Sequence, residues 1–307
     1  MINFNHTSSK NYRAVQRQLS DLVQQHLDPN EFSETITECA HDKLNFTWFI
    51  RQDADVLMSH GVADKNYYWM KRKDTKERYV NSLKAILVPG EWMRERMLKS
   101  KHINLPSEAI IPVGWPRLDL LRELQSAVSV PDVKSQVKLL WAPTHDKRKR
   151  GSDERSTSSY PEFEQDVARL SEHYELAYSL HPRNRKDKEP TVDKLLRSNV
   201  VISDFGTMVY EAWALGKPVI FPRWILQDSI ETYLPNSAEA FIFKNKIGYH
   251  PNSYEEMLSI IESGPEITPD VDNFMKLYLL NYKNGLSAKI IANTLQALSN
   301  KYIDPLW

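Results

Sequence analysis

Six short motifs carry the residues that could do chemistry: Ser59-His60-Gly61, Pro89-Gly90-Glu91, Gly114-Trp115-Pro116-Arg117, Pro143-Thr144-His145-Asp146, His181-Pro182-Arg183 and Ser203-Asp204-Phe205-Gly206-Thr207. A neutral imidazole such as His60, beside a glycine that lets backbone approach a ligand, can take the proton of an attacking hydroxyl. His181 and Arg183 suit phosphate oxygens, since a guanidinium binds two oxygens at once. The stretch VVISDFGTMVYEAWALGKPVIFPR reads as buried strand, Gly-containing turn, amphipathic helix, Gly stop and second strand. Thr207 or Ser203 is positioned to cap that helix, and Met208, Ala212 and Leu215 give it an apolar face. Its free N–H groups and dipole favour an anion. Glu211, one turn in, could accept a ribose or glycerol hydroxyl; it could equally be a surface carboxylate. Each motif alone also has a plain structural reading, such as a histidine bonded to a carbonyl or a solvated basic turn at Arg185 and Lys186. Their shared position after predicted strands gives the set its meaning.

Those strands come from the pattern of apolar runs. Residues 54–59, 84–88 and 109–113 read as short buried strands, alternating with helices over 91–99 and 117–125. A helix over 11–28 and another starting at Glu31 precede them. After a linker, strand 137–141, a charged loop over 146–159, helix 161–173, strand 175–180, helix 191–198, strand 240–243, helix 254–263 and two closing helices follow. Alternation of this kind predicts parallel sheets covered by helices, whose ligands lie outside the carboxyl ends of the strands. The chain has 307 residues, enough for two domains. Expected boundaries are residues 1–127 and 136–307, with 128–135 as linker.

Composition narrows the function. Lys plus Arg and Asp plus Glu number 40 each, which argues against a nucleic-acid partner. One cysteine, Cys39, excludes a disulfide framework and points to a reducing, cytoplasmic setting. No leader pattern or membrane-spanning run is present, although the ring-and-charge segments 66–73 and 302–307 are compatible with peripheral attachment at the inner face of a membrane. The D-x-D of Asp53 and Asp55 precedes its strand and reads as a turn. No H-E-x-x-H, G-x-S-x-G or P-loop pattern occurs, so metallohydrolase, serine-esterase and P-loop chemistry lose support.

Taken in order, SHGVADKNYY, ILVPGEWMRERM, PVGWPRLD, LLWAPTHD, LHPRNR, SDFGTMVYEAWALGKPVIF and NGLSAKIIANTL resemble the CDP-glycerol glycerophosphotransferase family of teichoic-acid and capsule polymerases. The resemblance implies a GT-B fold, in which two Rossmann-like domains with parallel sheets face a central cleft. It implies a nucleotide-activated donor held by the second half and a glycan or lipid-linked acceptor presented from the first. His60 then corresponds to the proposed base and His181 to the pyrophosphate contact. Gly61, Arg117, Thr144, Arg183, Asp204, Gly206, Thr207, Met208 and Glu211 complete the expected donor site. No metal ligands and no cofactor are expected. The chain departs from the family at Phe205-Gly206-Thr207, where Tyr-Ser-Ser is usual, and at His145, where Trp is usual. Both changes fall on the donor side. A GT-B glycosyltransferase using a CMP- or UDP-sugar and a catalytically silent glycan-binding module are the rival readings.

Overall fold

A computed structural model describes residues 1–127, 137–144, 157–180 and 189–303. The expected linker and most of the charged loop over 146–159 lie outside the described residues. The chain divides into two units, Met1–Val62 with Asn66–Leu120 and Lys276–Trp307, and Ala63–Lys65 with Leu121–Met275. The division differs from the expected boundaries at the end of the chain. Its closing helix, Ser287–Ile303, belongs to the first unit, where the Met1 ammonium donates to Ser299 Oγ at 2.9 Å.

The first unit is built on a six-stranded parallel sheet. Its strands are β1 (Ile2–His6), β2 (Phe32–Ile36), β3 (Leu44–Thr47), β4 (Val56–Met58), β5 (Ala85–Val88) and β6 (Ile110–Pro112), in the order β2-β1-β3-β4-β5-β6. α1 (Lys10–Gln24) leads from β1 to β2, α2 (Glu91–Leu98) lies between β5 and β6, and α3 (Pro116–Ala127) starts after β6. Three of these strands, β1, β2 and β3, have no counterpart in the expectation. β1 is fully buried, yet every second residue is polar; Asn3 satisfies its amide by donating to Thr35 Oγ1 and Asn45 Oδ1, both at 2.9 Å. Burial of such groups is tolerable only with those partners. β2 was expected as a helix. It is instead the half-exposed edge, paired with β1 from Phe32 against Ile2 to Ile36 against His6, and Phe32 packs edge-on to Phe4.

The second unit carries a four-stranded parallel sheet of β7 (Lys138–Ala142), β8 (Glu175–Tyr178), β9 (Val200–Ser203) and β10 (Val219–Ile220), ordered β10-β9-β7-β8. α4 (Glu164–Ser171), α5 (Thr191–Arg197), α6 (Thr207–Ala214), α7 (Arg223–Leu226), α8 (Ser229–Tyr233), α9 (Ala238–Lys244), α10 (Tyr254–Glu262) and most of α11 (Pro269–Tyr278) cover it. Residues 240–243 lie in α9, not in a strand: a short apolar run has the same appearance in a buried helix, and Ser237 Oγ caps this one by accepting from Ala240 N at 3.1 Å. α6 is buried on nearly all sides, so the expected amphipathic face is wider than Met208, Ala212 and Leu215. It stops where expected, with Lys217 N donating back to Ala212 O at 2.9 Å around Gly216.

Candidate functional site

In the first unit, the chain leaves β4 through Ser59-His60-Gly61. Ser59 Oγ accepts from Gly61 N at 3.2 Å, and Ser59 N donates to the Tyr68 hydroxyl at 3.1 Å, which fixes the turn. The His60 ring sits among three aromatic rings, edge-on to Tyr67 at 5.5 Å and to Tyr12 at 5.6 Å, and tilted to Phe49 at 6.1 Å. Tyr67 is itself locked, accepting from Ile50 N at 2.7 Å, with burial raising its phenol pKa. His60 is half-buried as a residue, its ring Nδ1 is buried, and the three rings hold the imidazole in place, as a proton acceptor needs.

Arg117 lies in the first turn of α3, half-buried, in this same unit. Its motif has another role. Gly114 has φ +85°, and a Cβ there would stand 2.2 Å from Ser287 Oγ. Asp119 accepts from Ser287 N at 3.2 Å and Ala288 N at 2.8 Å, placing a carboxylate on the positive end of the closing helix. The sequence reading turned PVGWPRLD toward a ligand. The structure turns Gly114 and Asp119 toward NGLSAK instead.

In the second unit, Asp204 directly follows β9 and is wholly buried. Its Oδ2 accepts from Thr144 N at 2.8 Å. Burial pushes its pKa up to about 6, and the hydroxyls and backbone near Ser158 and Ser159 only partly offset this. Ser203 Oγ donates to Ala142 O at 2.7 Å, and Ser158 Oγ to Thr144 O at 2.8 Å. Asp204, expected on the donor, is thus the joint that holds the residues after β7 against those after β9. Glu211 is also buried, not a surface carboxylate.

The start of α6 differs from the expected cap. Neither Thr207 nor Ser203 caps it; the N-cap is Gly206, at φ +106°, without a side-chain hydrogen bond to the helix end. Thr207 and Met208 follow, both half-buried. Over the glycine stands Lys65, whose Nζ is 3.0 Å from where a Cβ on residue 206 would be and 5.0 Å from the centre of the Phe205 ring. Lys65 is carried there by Glu239, a buried carboxylate that accepts from Lys65 N at 2.9 Å, Asp64 N at 3.0 Å and the Tyr210 hydroxyl at 3.0 Å. Asp64 in turn caps α9, accepting from Ala238 N at 2.9 Å. An ammonium and the positive end of a helix thus stand in one place, a pairing of donors suited to phosphate oxygens.

Sequence reasoning passed over Lys65 because its partner glycine is far along the chain. The signal that was present is the loss of a side chain at 206. His145, His181 and Arg183 lie outside the described residues. Among the described residues, no three His, Cys, Asp or Glu side chains form a metal-binding group, and no helix is long and apolar enough to cross a membrane.

No family model matches the chain. It is similar to the teichoic acid ribitol-phosphate polymerase TarL of Staphylococcus aureus, at 27% identity over 194 residues, covering 54% of this chain and 32% of that protein. The chain therefore spans about a third of the length of that curated relative. Among solved structures, the wall teichoic acid polymerase TagF aligns with 99% of this chain and 90% of its own, at TM-score 0.62 and 12% identity. The UDP-GlcNAc 2-epimerase of Neisseria meningitidis, bound to UDP-GlcNAc, aligns with 97% of this chain and 100% of its own, at TM-score 0.54 and 13% identity. These structures share the fold, two parallel α/β units of the GT-B type. In motif order, in its match to a ribitol-phosphate polymerase and in its GT-B fold, the chain is similar to the CDP-glycerol glycerophosphotransferase family.

Proposed function

We propose that this chain is a transferase that moves a phosphoalcohol, such as glycerol phosphate, from a CDP-linked donor to a hydroxyl of a cell-surface glycan or lipid-linked acceptor. The acceptor oxygen attacks the distal phosphorus, the new P–O bond forms, the bond to the bridging oxygen breaks, and CMP leaves. His60 takes the acceptor proton. The α6 end with Lys65, together with His181 and Arg183, stabilises the charge that builds on the donor phosphates. The observation that carries the reading is the uncapped α6 end at Gly206 with Lys65 above it. The similarity to TarL, and to a TagF structure solved with CDPG, supports a donor of this class.

In this reading the helix end and the cations supply the charge that a metal would otherwise supply, so turnover should survive chelation. The protein works in the cytoplasm at the inner membrane face, where a lipid-linked acceptor is presented. Thermal unfolding against CDP-glycerol, CDP-ribitol, CMP and UDP-sugars tests the donor, because a ligand that binds only the folded state raises its midpoint. Stabilisation by CDP-alcohols with transfer to an acceptor supports the proposal. Stabilisation by a UDP-sugar alone replaces it with a glycosyltransferase or epimerase, and silence across the panel leaves a binding module.

A further inference from the structure

Single exposed aromatic side chains are ordinary on a protein surface, but Tyr12 of α1 does not stand alone. It is 48% exposed although two rings already pack against it: Phe49 stacks at 5.6 Å with an interplanar angle of 30°, and His60 meets it edge-on at 5.6 Å. Val15, one helical turn further, is 42% exposed and extends the apolar strip. Buried hydrogen bonds fix this row of rings. Trp48 Nε1 donates to Ser20 Oγ at 2.9 Å, which ties α1 to the exit of β3, and Gln16 Oε1 accepts from Thr7 N at 2.9 Å, which ties it to the exit of β1. Phe49 lies between two pinned neighbours, Trp48 and Ile50, the second held by the Tyr67 hydroxyl. A platform set in advance costs little ordering entropy when a ligand arrives.

The chemistry of the platform selects its ligand. An aromatic face is negative, so it attracts polarised C–H bonds and repels anions. A pyranose ring presents a face of C–H bonds, while its equatorial hydroxyls point outward from the ring edge. Such a ring can lie at van der Waals distance over Tyr12 and still bring one hydroxyl within hydrogen-bond reach of the His60 imidazole, because the two ring centres are only 5.6 Å apart. The end of a glycerol-phosphate chain fits less well. Its three carbons cover little of a phenol ring, and its phosphate charge is repelled by the face.

We propose that Tyr12 and Phe49 form the acceptor platform beside His60, and that the reactive end of the acceptor is a pyranose ring stacked there; the proposal rests on the reading of His60 as the base. Saturation-transfer NMR with the methyl glycosides of glucose, galactose and N-acetylglucosamine, against a glycerol-phosphate trimer, tests it without turnover. Wild-type protein should saturate the C–H protons of one ring face of at least one glycoside. Tyr12→Ala should weaken that binding about tenfold, the effect of one lost ring contact, and Tyr12→Phe should keep it. The side chain is half exposed, so neither change opens the core. Tighter binding of the trimer than of every glycoside, no glycoside binding, or equal glycoside affinity in wild type and Tyr12→Ala overturns the proposal. Transfer from CDP-glycerol to the preferred glycoside gives a second readout. Tyr12→Ala should raise the acceptor KM about tenfold with kcat and donor affinity unchanged, a split that a merely structural role would not produce. Transfer with an unchanged acceptor KM removes the platform and leaves the enzymatic reading. Glycoside binding that depends on Tyr12, with no transfer from any CDP-alcohol, removes the enzymatic reading and leaves the platform.

Discussion

Lys65 Nζ stands 3.0 Å from the point where a β-carbon on residue 206 would lie, and residue 206 is a glycine at φ +106°. The two positions therefore constrain each other. A serine at 206 would meet both a backbone conformation that L-residues rarely adopt and the lysine side chain, and would lose about 1–3 kcal/mol. Gly206→Ser should lower the free energy of unfolding in urea by that amount, and its midpoint with it. A midpoint equal to that of wild type would mean that the turn relaxes and that the glycine is incidental.

Removal of the ammonium alone should act on the donor and not on the fold. Lys65→Ala should weaken CDP-alcohol binding about tenfold, the effect of one charge-assisted contact to phosphate. Isothermal titration with the CDP-alcohol reads this directly. Unchanged donor affinity would remove Lys65 from the proposed site.

His60→Ala should lower turnover by about 10²–10⁴, the usual contribution of a general base, with donor affinity kept. Tyr67→Phe removes the hydroxyl that accepts from Ile50 N and loosens the ring on which His60 rests. It should reduce turnover less than tenfold, in keeping with a positioning role. A full loss of donor binding in His60→Ala would contradict the separation of proton transfer from donor binding.

Two buried groups of the second unit give opposite pH signatures. Asp204 has a folded pKa raised to about 6, so the folded state holds its proton more tightly than the unfolded chain; the stability it contributes is fully present below about 4 and is lost as pH rises through 6. His250, stacked on Phe221 at 4.6 Å and depressed to about 4 by burial, does the reverse: its contribution is present above about 6.5 and is lost as pH falls through 4. Thermal midpoints from pH 4 to 7 separate them. The wild-type advantage over Asp204→Asn should shrink as pH rises, and that over His250→Phe should shrink as pH falls. Parallel curves in either pair would contradict the assignment.

Asp119→Ala removes the acceptor for Ser287 N and Ala288 N and should cost about 1–2 kcal/mol, measured by urea unfolding. Affinity for CMP should not change, since Asp119 belongs to the first unit and the proposed donor contacts to the second. A loss of CMP affinity without a loss of stability would restore the motif to the ligand.

Much of the architecture was legible in the residue order, because the strongest signals are local. Val200-Val201-Ile202, the glycine turn and Gly216 define β9, α6 and its stop within one short stretch, and the structure has them at Val200–Ser203 and Thr207–Ala214. Strand β1 could not be read this way. Ile-Asn-Phe-Asn-His becomes a buried strand only when Thr35 and Asn45 supply partners for Asn3. Edge strand β2 likewise depends on β1, and the apolar run 240–243 is a helix through a cap that the run itself does not contain. The same limit applied to the site. Sequence alone determined that histidines, hydroxyls and a glycine turn follow strands. Only the tertiary structure decided that Asp204 is an internal joint, that Gly114 and Asp119 serve the closing helix, and that Lys65 covers Gly206, because each depends on groups brought together from distant parts of the chain, and no periodicity along the sequence encodes such contacts.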